Sequence, residues 1–275
     1  MNGPFELVTA LHWGAVILYA AATVMVVTGA TFRRDRVERL GNLIVWPGIA
    51  LQAAGLVVWW RVTGHGPYVD RFEVLSAYAW VLVVGFVLFA RFYPRVLAAA
   101  MVVYPVAFSM IAAGLFAQPE IKQLPPTFRG IWLVLHIIFY DIAFCAVVIA
   151  MAFSIFYLRK ARGGLAWFRS LPELPVIDLY AYRFAGFGFV FWAIGMLAGS
   201  IWAYQSWNIF WNWDPVQTWS LVAWVLFGIY LHLRRFFGWH GARAARLFVL
   251  CFTVVVVSLF LTPAIESSIH AGYFK

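Results

Sequence analysis

The residues with chemistry to offer are few and concentrated. From Ser206 to Arg235 the sequence SWNIFWNWDPVQTWSLVAWVLFGIYLHLRR sets five tryptophans, Trp207, Trp211, Trp213, Trp219 and Trp224, around a single acid, Asp214. It then runs through an apolar stretch to His232, followed by Arg234 and Arg235. Two other histidines stand in apolar or terminal contexts, His136 in WLVLHIIFYD and His270 in ESSIHAGYFK. Indoles are flat surfaces with one polar edge, and imidazoles are metal ligands that titrate near neutrality. Together they suit a flat ligand with a metal at its centre. Asp214 also has a simpler reading. A carboxylate ahead of Pro215 accepts from free N–H groups in a first helical turn and complements the helix dipole, so cap and ligand platform both stand at this point.

These groups need a scaffold, and composition says which kind. The chain has 275 residues, of which 64% are hydrophobic and 11% charged. Too few polar side chains remain to coat a soluble globule. A spanning helix needs roughly 20 apolar residues, and eight candidate spans follow: Leu7–Phe32, Leu40–Trp60, Phe72–Phe92, Val96–Ala117, Ile131–Leu158, Phe184–Tyr204, Thr218–Leu233 and Leu247–Pro263. Barrel strands would alternate over about ten residues, and no such pattern is visible. The expected fold is therefore all-α, a polytopic helical bundle forming one membrane domain over residues 1–275. No cleavable signal is evident in the first apolar run.

The net charge of +9 records orientation and does not call for nucleic acid. Most Lys and Arg lie in segments 33–39, 91–95, 159–183 and 234–246, which share one side if eight spans alternate. The positive-inside rule makes that side cytoplasmic and puts both termini outside. The longest inner segment, RKARGGLAWFRSLPELPVIDLYAYR, reads as a short interfacial stretch ended by Pro172 and Pro175.

Sidedness sorts the chemistry. The tryptophan loop, about residues 205–218, faces outward with His136 and His270. An aromatic belt explains a scattered Trp, but this cluster is denser than a belt around a bundle requires. Each histidine alone fits a hydrogen-bonded side chain; two beside an aromatic platform are what an iron porphyrin with paired axial imidazoles needs. Eighteen positions separate Asp214 from His232, roughly 27 Å of helix, nearly the ~30 Å of a hydrocarbon core. His232 therefore belongs to the inner end, where it either holds a second ligand or extends to the headgroups. His12, His65 and His240 have no evident partner and read as structural. Cys145 and Cys251 lie in apolar spans without a C-x-x-C pairing, so any thiol exchange must come from another protein.

The segment WNIFWNWDPVQTWSLVAWVLFGIYLHLR resembles the tryptophan-rich WWD signature of haem-handling proteins in cytochrome c maturation, and in particular the CcsA (ResC) family of the type II system. RFEVLSAYAW, VLHIIFYDIAF and SSIHAGYF are similar to further family segments, in the same order. The resemblance implies haem b as substrate and ligand. It implies His136 and His270 as outer axial ligands, His232 as an intramembrane ligand, and Trp207, Trp211, Trp213, Asp214 and Trp219, continued by Trp224, as the platform. It further implies the role of haem-attachment subunit of a holocytochrome c synthase, or haem lyase. Such a subunit joins haem to the C-x-x-C-H thiols of apocytochrome c beside a CcsB-type membrane subunit and a thiol-reducing thioredoxin-like protein. The setting is membrane lipid, in a bacterial inner membrane or a thylakoid, with the site on the outer or lumenal side. The alternative is a haem exporter without attachment activity. Gln217 stands where the family usually carries an acid, and Ser206 and Asn208 replace a more glycine-like context.

Overall fold

In the computed structural model the described residues are 2–117, 121, 124, 126–168 and 170–261. Among them are eight α-helices: α1 (Asn2–Thr31), α2 (Asp35–Thr63), α3 (Arg71–Phe92), α4 (Ala100–Phe116), α5 (Ile131–Lys160), α6 (Leu174–Trp207), α7 (Pro215–Phe236) and α8 (Gly241–Leu261). Two short 3₁₀ turns, Pro94–Ala99 and Pro126–Arg129, precede α4 and α5. No strand occurs among the described residues. Among the described residues seven helices are long and apolar enough to cross a membrane, the fourth counted with the 3₁₀ turn that precedes it. Each of the eight overlaps one span read from the sequence, the end of the expected eighth lying outside the described residues, and the protein is a polytopic helical bundle.

Helix ends differ from the apolar runs in an instructive way. The expected sixth span begins at Phe184, but α6 begins ten residues earlier at Leu174, with Pro175 in its first turn. Pro175 therefore opens a helix and does not end an interfacial segment, because a first-turn position has no N–H partner to lose. The consequence is that Asp178, Tyr182 and Arg183 are helical. The loop also shrinks: α6 continues through Trp207 and α7 starts at Pro215, leaving residues 208–214 irregular.

The chain forms two compact units, one of residues 1–124 with 165–172, the other of 125–164 with 173–275. In the first, α1 and α2 approach closely because Gly41, Gly48 and Gly55 recur every seven residues opposite Val26, Tyr19 and His12. A Cβ at Gly48 would lie 2.6 Å from Tyr19 Cε1, and one at Gly55 2.6 Å from His12 Cε1. Small residues at such an interface let rings lie on backbone, the usual device for helix association in lipid. His12 is fully buried and, against the sequence reading, has partners: Nδ1 donates to the Val8 carbonyl at 2.8 Å and Nε2 accepts from Ser76 Oγ at 2.8 Å. Gln52 completes this knot, donating to the Ser76 carbonyl and accepting from Tyr19. Nearby, the Glu73 carboxylate accepts from Trp59 Nε1 and from the Val69 N–H, both at 2.6 Å, which pins the 64–70 loop to α3.

The second unit uses the same device. On α6, Gly188, Gly195 and Gly199 face Val147, Tyr140 and His136 of antiparallel α5. α7 and α8 continue the antiparallel order, with Phe227 and Tyr230 against Phe248. At the end where α7 meets α8, Arg234 makes a two-pronged ion pair with Asp178 of α6 at 2.6 and 2.7 Å, and Asp178 also accepts from the Gly241 N–H at 3.0 Å. One carboxylate thus joins three helices. Asp178→Ala leaves a buried guanidinium unpaired and should cost on the order of 3–5 kcal/mol, read as a lower unfolding midpoint in detergent. Adding Arg234→Met should recover most of that loss; a stable single variant would show that the ion pair does not hold these helices together.

Candidate functional site

The site grows from the α5–α6 contact. His136 is half-buried on α5, and its Nδ1 lies 2.8 Å from the Gly195 carbonyl of α6. A carbonyl only accepts, so in this hydrogen bond Nδ1 is the donor. This is the arrangement typical of ligating histidines, whose second nitrogen is fixed by an outer acceptor. The ring can reach that carbonyl because position 199 is glycine: a Cβ there would collide with the imidazole. Tyr140, one turn along, lies edge-on to His136 at 4.8 Å and hydrogen-bonds Ser220 of α7, which also accepts from Trp192 Nε1 at 3.0 Å. Three helices meet at that serine.

From His136 the aromatics lead to the loop. The imidazole stacks near Trp202 with 6.3 Å between centroids and 21° between planes, and Trp202 meets Trp207 edge-on at 4.8 Å. Trp202 is buried and donates to the Thr127 carbonyl at 2.7 Å. Asn208 ends α6 in the left-handed region with φ 58°. Phe210 then stacks back on Tyr204 at 4.2 Å.

Asp214 is buried and accepts from the Val216 N–H at 2.9 Å, the N-cap that the sequence reading allowed. Asn212 Oδ1 accepts from the Asp214 N–H at 3.2 Å, and Gln217 Oε1 accepts from the Asn212 N–H at 3.1 Å. Gln217 thus reaches back past the N-cap to the Asn212 N–H, a bond that an uncharged amide oxygen accepts as a carboxylate would. The loop therefore holds its shape through its own side chains.

On that frame the tryptophans are not coplanar. Trp211 and Trp213 meet at 86° with centroids 5.9 Å apart. Trp213 is 68% exposed and has φ 58°, a backbone region that costs a bulky residue about 1 kcal/mol or more. The Trp211 indole N–H is buried with no partner among the described residues. A strained, outward Trp next to an orphan donor is a surface shaped for something other than the fold.

The remaining predicted residues fall elsewhere. Trp219 is exposed on the first turns of α7. Trp224 lies in the α6–α7 seam, stacked on Phe189 at 4.7 Å and donating to its carbonyl at 3.2 Å. His232 is exposed near the opposite end of α7. His270 lies outside the described residues, so its convergence with His136 has no geometry here. His65 is buried, with Nδ1 donating to the Gly66 carbonyl at 2.8 Å, and exposed His240 stands 3.9 Å from Asp178. Trp202, Tyr140 and Ser220 were missed by the sequence reading; their signal is helical register, since Tyr140 is one turn from His136 and Trp202 is three residues from Gly199.

These positions separate folding from ligand contact. Trp202→Ala should destabilise the protein by about 3–5 kcal/mol as a buried large-to-small change. Trp213→Gly removes an exposed ring and relieves the positive φ, so the unfolding midpoint in detergent should hold or rise while ligand retention falls. An equal drop in midpoint for both variants would make Trp213 a packing residue.

Residues 68–270 match the family described as Cytochrome C assembly protein. The curated "Cytochrome c biogenesis protein CcsA" of Synechococcus sp. (strain CC9902) is 29% identical over 306 aligned positions that cover 100% of this chain and 99% of the relative. Its counterpart in Parasynechococcus marenigrum (strain WH8102) is 28% identical, with 98% of each chain covered. That of Chlamydomonas reinhardtii is 29% identical over 80% of this chain and 65% of its own. With an apolar helical bundle and a capped tryptophan loop in place, the chain belongs to the cytochrome c assembly protein family, in its CcsA branch, and acts in cytochrome c biogenesis as an integral membrane protein.

Proposed function

We propose that the protein is the haem-attachment subunit of a type II cytochrome c synthase, working with a CcsB-type membrane subunit. Haem b is its substrate, moved from the basic, cytoplasmic end to the outer end and joined there to apocytochrome c. Each of two cysteine S–H groups of the C-x-x-C-H motif adds across a haem vinyl group, forming a C–S bond and placing the proton on the other vinyl carbon. The addition is redox-neutral, but the thiols must arrive reduced, which assigns their preparation to a thioredoxin-like protein.

The observation that carries this reading is the contact of His136 Nδ1 with the Gly195 carbonyl. Proton on Nδ1, held by the Gly195 carbonyl, is the state in which an imidazole binds iron through Nε2. The orphan Trp211 N–H fits an acceptor group at the ligand's edge, and Trp213 offers a face for stacking. This chain's contribution is positioning: His136 and His270 hold the metal, the loop fixes the ring plane, and the thiols meet a substrate already oriented. His232 would hold haem at the inner end during transit. An exporter would share both histidine sites but would release haem without forming thioethers.

His136→Ala should convert six-coordinate haem to five-coordinate or lose it, and cytochrome c maturation should fall at least tenfold and be partly restored by added imidazole. Reconstituting the chain with its membrane partner, haem and reduced apocytochrome separates the two functions: covalent cytochrome supports attachment, and free haem with no thioether supports export. Undiminished maturation in His136→Ala without imidazole would remove His136 as a ligand.

A further inference from the structure

A groove of about 450 Å³ opens between α6 and α7 toward their basic ends. Tyr182, Arg183 and Phe189 line it from α6, and His232, Arg235 and Phe236 from α7. Gly186 and Gly228 also line it. These glycines differ from those under His136 and Tyr140. A Cβ at Gly186 would meet nothing within 4 Å, and one at Gly228 would meet only the edge of Phe189, at 3.2 Å. The helices leave real space here and do not use the small residues to touch.

The charges around that space are unequal in a telling way. Arg234 points away and is neutralised by Asp178, with its guanidinium 4.8 Å from the Tyr182 ring centroid. Arg183 and Arg235, both exposed, have no acidic or hydrogen-bonding partner among the described residues. His232 lies against Phe236 and Phe237, with centroids 4.7 and 5.7 Å away, and neither ring nitrogen has a hydrogen-bond partner among the described residues. An apolar slot therefore carries one imidazole and two uncommitted guanidiniums. Its complement is a flat apolar body with a metal centre and two anionic groups.

We infer that Arg183 and Arg235 anchor the two propionate carboxylates of haem in this groove, with the ring edge over Gly186 and Gly228 and His232 at the iron. The inference rests on the haem reading proposed above and extends it to the residues that orient the substrate at the inner end. Arginine is suited to the task because its planar fork matches a carboxylate and remains charged at all relevant pH. Arg183 and Arg235 are exposed, Arg235 lying only over the exposed Phe236 ring at 6.0 Å, and Leu at position 186 is a better helix former than Gly with open space at its Cβ, so the key variants should fold.

The test is spectroscopic titration of the detergent-purified full chain, carrying His136→Ala and His270→Ala together to silence the outer site, with haem, haem dimethyl ester and iron-free protoporphyrin. Haem should bind more tightly than its ester by about tenfold or more, the scale of one charge-assisted hydrogen bond. Arg183→Gln and Arg235→Gln should each lower haem and protoporphyrin affinity about tenfold and reduce the preference over the ester. Gly186→Leu should weaken all three ligands alike. Equal binding of haem and ester, unchanged in the Arg variants but lost in His232→Ala, would overturn the anchor while leaving His232 as a ligand. Haem binding unaffected by His232→Ala and by both Arg variants would overturn the anchor together with the inner-site reading. Loss of a copurifying anionic phospholipid in the Arg variants, with haem affinity intact, would assign the pair to a lipid headgroup and also overturn it.

Discussion

The contact between α5 and α6 is the constraint on which the site depends. Gly188, Gly195 and Gly199 give α6 a bare face, and Val147, Tyr140 and His136 of α5 lie on it. In a lipid environment two apolar helices gain little from hiding apolar surface, so close approach and internal hydrogen bonds must hold them. A backbone carbonyl within reach of a side chain from the next helix is a by-product of that approach. Here the by-product is chemical, because the Gly195 carbonyl gives His136 Nδ1 an acceptor for its N–H. Under the proposed haem reading, packing and ligand preparation are one interaction.

The two ends of this unit are built differently, and the difference accords with the tasks proposed for them. At the tryptophan end, order comes from local capping: Asp214, Asn212 and Gln217 satisfy loop and helix N–H groups and hold Trp213 outward at a cost in backbone strain. At the basic end, order comes from a long-range ion pair, Asp178 with Arg234, which fixes α6 to α7 and, through Gly241, to α8. That clamp leaves the helices apart over Gly186 and Gly228. One end presents a rigid aromatic surface; the other keeps a slot with charge at its edge.

Much of this was legible in the sequence, for reasons that particular residues show. The eight helices were visible because apolar runs of spanning length have no other stable form in lipid. The cap at Asp214 was visible because Asp followed by Pro has a local meaning. What was not legible is tertiary. Nothing in RKARGGLAWFRSLPELPVIDLYAYR announces that Asp178 reaches a guanidinium on another helix, so the polar first turns of α6 were read as an interfacial segment. His12 lacked an apparent partner because Ser76 lies far along the chain. Trp202 and Ser220 were overlooked because neither lies in a motif; their importance comes from register against His136 and Tyr140. Trp224, read as part of the platform, is spaced along α7 so that it faces Phe189 in the helix seam.

The central claim is that helix packing sets the ligand state of His136, and it can be tested without touching the histidine. In Gly199→Ala the added methyl group occupies the seat of the imidazole ring, so the Gly195 hydrogen bond must lengthen or break. The reduced absorption spectrum of haem in the detergent-purified, folded variant is the measurement. The account predicts loss of the six-coordinate signature with His136 chemically intact; a six-coordinate spectrum identical to that of the parent protein would contradict it.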